Sequence, residues 1–99
     1  MTRADVLAWL DARRPAPPPT LRAHLARRVM DAPGTLPDHL ADGGRALLAR
    51  VLAEPLGGRE LALDLLAADA LVTYAFEAQA ERDAAGLVAL ARRVAGGDA

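Results

Sequence analysis

The stretch Leu61–Glu81, LALDLLAADALVTYAFEAQAE, decides the fold. It is dominated by Ala and Leu, which lose little side-chain freedom in a helix, and it holds no Gly or Pro to break one. The spacing predicts one helix over about 59–81, some 35 Å long at ~1.5 Å per residue. Leu61, Leu65, Val72 and Phe76 share one side, while Leu63, Leu66, Ala70 and Tyr74 widen the apolar surface beyond a single stripe. A helix apolar on most of its circumference has to be covered on most sides. The rest of the chain is therefore expected to form shorter helices laid around it.

Outward from this helix, breakers divide the chain. Thr2 is a candidate N-cap for a helix over about 3–13, with Asp5 three residues on. Pro15–Pro19 (PAPPP) stops it, because proline lacks the amide hydrogen and fixes φ. That makes residues 1–14 a helical arm on a proline-rich linker, 15–19, packing apart from the rest or on a neighbouring chain. A second helix runs from Pro19 or Thr20 to Met30, with Leu21, Leu25 and Val29 on one face and Arg22, His24, Arg27 and Arg28 on the solvated sides. Thr35 caps a third, and a break is expected at Gly43-Gly44, since two helical glycines cost roughly 2 kcal/mol against alanine. Pro55–Gly58 is the loop before the central helix. A last helix spans about 83–95, capped by Asp83 or continuous with the central one, and past Gly96-Gly97 the end is expected to fray. No stretch alternates with a period of two, so no strand is expected. The fold class is all-α: one domain over residues 1–99, a bundle of four or five helices around the central one.

Composition narrows function mainly by exclusion. The chain has 99 residues, a net charge of −1 and no Cys, which removes disulfides, thiolate metal sites and cysteine nucleophiles. It also lacks Ser, Lys, Asn and Ile, a bias expected of a GC-rich bacterial genome. Charge is uneven: residues 1–28 hold six Arg against Asp5 and Asp11, and the remainder is net acidic. The two parts either meet between chains or stay as separate solvated faces. The PAPPP connection is wrong for a helix-turn-helix, so no nucleic-acid partner is expected. The N-terminus has no apolar run of signal-peptide type, and Leu61–Phe76 is shorter than the ~20 residues a bilayer needs and carries Asp64 and Asp69. A cytoplasmic protein with no membrane span is expected. Neither a nucleophile nor a phosphate loop is present, and His39 with Asp42 is too small a set for a closed metal site. No catalytic residue, metal or cofactor is assigned.

Asp69 stands out. Its helical neighbours are Leu65, Leu66, Val72, Thr73 and Phe76, and a carboxylate buried among them without a partner would cost several kcal/mol. It is expected to be satisfied by Thr73, by backbone or by an Arg from Arg45, Arg50, Arg92 and Arg93, to sit wet at an interface edge, or to line a cavity. On this reading Asp69→Ala destabilises more than Asp64→Ala.

The residues Leu65–Glu77 (LLAADALVTYAFE) resemble the trans-polyprenyl diphosphate synthase helix that reads approximately ILAGDALLTLAFE. Asp69, Leu71 and Phe76-Glu77 fall on that family's Asp, Leu and Phe-Glu, and Ala68 stands where it has Gly. The likeness implies a related helix and no activity, because the diphosphate-binding DDxxD motif is absent from the chain.

The expected function is a non-catalytic helical interaction or oligomerisation module, a homodimer or the partner of another protein. Its candidate interface is Trp9, Leu61, Leu65, Val72 and Phe76. The alternative is a bundle that binds an apolar small molecule or lipid, with Asp69, Thr73 and Tyr74 as the polar contacts of its pocket.

Overall fold

The computed structural model describes residues 1–54 and 57–96. Pro55 and Leu56 of the expected loop, and the expected fraying beyond Gly96, lie outside the described residues. The helices are α1 (Arg3–Asp11), α2 (Pro19–Arg28), α3 (Leu36–Ala53), α4 (Arg59–Arg82) and α5 (Leu87–Ala95), with one 3₁₀ turn, Ala84–Gly86, before α5. Among the described residues there is no strand, and no helix is long and apolar enough to cross a membrane.

Local chemistry sets the ends. Thr2 Oγ1 accepts from the Asp5 amide at 3.1 Å and Thr35 Oγ1 from the Asp38 amide at 3.4 Å, each satisfying an otherwise orphaned helical N–H. Pro19 opens α2, where its missing amide costs nothing. Asp83, in extended backbone, ends α4, and its carboxylate accepts from the Ala85 amide at 3.1 Å. The last two helices are therefore separate, turned by this residue.

The frame is the antiparallel pair α3–α4. Contrary to the break expected at Gly43-Gly44, α3 runs unbroken through both glycines. The reason lies across the interface. A Cβ on Gly44 would fall 2.8 Å from Val72 Cγ2 and 3.1 Å from the Ala68 carbonyl oxygen. The missing side chain lets the two backbones approach, and the burial gained offsets the helix-propensity cost. α4 answers with small residues: its buried face is Asp64, Ala67, Ala68, Leu71, Ala75 and Ala78. Apart from Leu71, the large apolar residues of α4 thus lie to the sides and outside.

α2 and α5 pack on the hairpin, and α1 folds back over α2 and α4 of its own chain. Val6 and Leu10 of α1 are fully buried in the shared core. Trp9 and Tyr74 meet edge-to-face, with centroids 5.9 Å apart, and the Arg13 guanidinium lies over the Trp9 ring, 4.0 Å from its centroid. Arg13 Nη1 also reaches Glu81 Oε2 at 2.7 Å, and Arg22 grips Asp11 through two bonds of 2.6 and 3.0 Å. The Arg3 side chain donates to the Ala26 carbonyl, and its amide to Asp31. Of the basic residues in 1–28, Arg13, Arg27 and Arg28 pair with Glu81, Glu60 and Asp64 of the same chain, while Arg22 is taken up by Asp11, an arrangement not expected from the sequence.

Candidate functional site

Two features stand out, one buried and one exposed. The buried one is a polar cluster where α2 crosses the first half of α4. Leu21, His24, Leu25 and Arg28 form the inward face of α2 at i, i+3, i+4, i+7 spacing, so His24 is carried into the core beside the leucines. Opposite sits Asp64, 2% exposed. His24 Nε2–H donates to Asp64 Oδ1 at 2.6 Å, and Arg28 Nη2 donates to the same oxygen at 2.8 Å. Arg50 Nε of α3 stands 3.8 Å from Asp64 Oδ2. Glu60, one turn earlier on α4, pairs with Arg27 at 3.3 Å and Arg28 at 3.6 Å. Burial pushes the Asp64 carboxyl up, but the His24 and Arg28 hydrogen bonds, with the Arg28 charge, outweigh it and hold it below the usual carboxylate range.

Asp64 is thus the carboxylate buried among apolar residues, and Asp69 is exposed, the reverse of the expected order. The physical reason is the Ala stripe. Asp64 lies in line with Ala67, Ala68 and Leu71 on the close-packed face, while Asp69 is turned off that face and is exposed. The sequence signal was present: Asp64 begins the small-residue spacing that complements Gly44.

His24, Glu60 and Asp64 also bring three donor atoms within 4.8 Å of one another, a metal-sized grouping. The Arg28 guanidinium lies 2.8 Å from Asp64 and 3.6 Å from Glu60, so both carboxylates already have a cationic partner. The cluster ties α2 to α4. His39 and Asp42, which share a face of α3, do not form a second set. Asp42 is held by two bonds from Arg93, 2.9 and 2.8 Å long, which keep its carboxyl low, and His39 Nδ1 is buried with no hydrogen-bond partner among the described residues.

The exposed feature is an apolar face on the α3–α4 hairpin. α5 is only nine residues long, and next to its C-terminal Val94 the hairpin is grooved. The groove, about 240 Å³, is lined by Gly44, Leu48, Leu65, Ala68, Asp69 and Val72 with Val94. A second hollow continues it from Leu65 to Leu61, Ala62 and Val51. Leu65 and Leu66 remain 49% and 48% exposed, and Leu52 77%.

Of the residues read from the sequence, Leu61, Leu65, Val72 and Asp69 border this surface. Thr73 is exposed further along α4. Tyr74 is turned away, onto Trp9, so it does not join Asp69 in one pocket. Trp9 and Phe76 are half-buried against the core of their own chain. Leu48 lines the groove as well, and Leu52 stands exposed one turn further along α3; neither is among the interface residues read from the sequence. No protein-family model, no curated protein and no solved structure matches the chain.

Proposed function

We propose that this chain is a non-catalytic helical interaction module that assembles as a homodimer. The observation that carries this reading is the concentration of half-exposed and exposed leucines, Leu48, Leu52, Leu65 and Leu66, on one hairpin. Leaving such side chains in water forgoes roughly 25 cal/mol per Å², and a surface of this kind is characteristic of docking faces. The buried polar cluster is consistent with it, since its charges are paired within the chain and offer no free acid–base or nucleophilic group. A cytoplasmic setting, where such a module would meet its partners, belongs to the same proposal.

Light scattering on a sizing column across the micromolar range tests it. The expected result is a mass that rises from monomer to dimer with concentration, and a Leu65→Glu variant that stays monomeric with unchanged helicity. A monomer at high micromolar concentration overturns the reading.

The Asp69 groove favours a second reading, an apolar ligand carrying a cationic or hydrogen-bonding group, because its lining is apolar apart from that carboxylate. Native mass spectrometry of the purified protein distinguishes the two: a bound small molecule supports the second, and a bare dimer the first.

A further inference from the structure

The outward stripe of α4 carries an order of residues that complements itself. Arg59, Ala62, Leu66 and Asp69 follow at intervals of three and four, so they share one solvent-facing arc of the helix. All four are exposed. Neither Arg59 nor Asp69 has an ion-pair or hydrogen-bond partner among the described residues, although most other charged side chains of α4 are paired. The stripe therefore reads cation, small, large, anion, from the N-terminal end.

Resting on the self-association reading above, we infer that the partner on this face is a second copy of the same chain, laid antiparallel, α4 against α4. A two-fold axis level with residue 64 sets Arg59 opposite Asp69 of the partner subunit. The same axis, with no change of register, sets Ala62 opposite Leu66 of the partner subunit. Both pairings recur on the other side, as an isologous contact requires. Ala62 gives the large Leu66 room, so the helices can close to the 8–10 Å at which packed helices sit. Leu65, beside the stripe, and Leu48, across the groove from it, extend the apolar contact towards α3. Arg59 and Asp69 lie ten residues apart, about 15 Å along the axis, so the charges flank the apolar centre. Their role is to fix direction: a parallel pairing would set Arg against Arg and Asp against Asp, which is repulsive.

A reciprocal charge exchange tests the pairing. Sedimentation equilibrium is run on the natural chain, Arg59→Glu, Asp69→Arg and the double variant, with helicity checked by circular dichroism. All these positions are exposed, so the fold is expected to persist. Each single variant faces two like-charged contacts in the dimer and is expected to raise the dimer Kd by about tenfold or more. The double variant restores both pairs and is expected to return to within about threefold of the natural chain. A dimer whose Kd ignores the single exchanges, or is not rescued by the double, overturns this pairing while self-association stands. A monomer throughout overturns both.

Discussion

Removing the Asp64 carboxylate leaves the buried His24 ring and the partly buried Arg28 guanidinium without the oxygen they share. Breaking a buried ion pair from one side costs more than the pair contributes, because the surviving charge stays desolvated. Asp64→Ala is therefore expected to lose about 3 kcal/mol in urea denaturation, and Asp69→Ala less than about 0.5 kcal/mol, as for other surface changes. The lowered Asp64 carboxyl also gives a sign for pH. Its contribution is complete above the usual carboxylate range and is lost as pH falls through its depressed value. Melting temperature is expected to drop steeply below about pH 4, and less steeply in Asp64→Asn. At this scale the sequence was half legible. It shows that α4 carries two carboxylates amid apolar residues, but their order of burial depends on which face α3 chooses. His24 gave still less, since its partner is 40 residues away in the chain.

Between elements, the adjacent glycines of α3 are not equivalent. A Cβ on Gly43 would meet Leu71 Cδ1 at 3.7 Å, an ordinary contact, whereas one on Gly44 would press on Val72 and on the Ala68 backbone. Gly43→Ala is expected to raise stability by up to about 1 kcal/mol through helix propensity. Gly44→Ala is expected to lower it by about 1–3 kcal/mol, since backbone cannot step aside as a side-chain tip can. Denaturant midpoints of the two variants check the contrast. Helix positions were legible from caps and breakers: Thr2, Thr35, Pro19 and the PAPPP segment each act where local chemistry places them. The continuity of α3 was not, because its compensation is tertiary. The Ala spacing of α4 was visible but overshadowed by its leucines, which draw attention to the side that stays uncovered.

At the scale of the whole molecule, α1 is joined to the bundle by apolar burial and by ion pairs, and the two differ in weight. Leu10 is fully buried, so Leu10→Ala is expected to cost about 3 kcal/mol from lost contacts and the cavity left behind. Arg22→Ala, at a partly exposed pair, is expected to cost less than about 1 kcal/mol and less still in high salt. Chemical denaturation at two salt concentrations measures both. The radius of gyration, 13.2 Å, is what a chain of this length has when folded as one unit, so α1 does not stand off as an arm. The all-α class was readable from composition and periodicity alone. The return of α1 was not, because a proline linker says where a helix stops and nothing about where the next one sends it.

The close seam at Gly44 has a consequence in time as well as in space. α3 and α4 are neighbours in sequence, whereas α2 is held through a carboxylate that acid can neutralise and α5 through an exposed Arg93–Asp42 pair. Opening should then be stepwise, with the outer helices released before the hairpin. Native-state amide exchange in mild acid is expected to show α2 and α5 exchanging first, and the amides around Gly44 and Ala68 only when the whole chain comes apart.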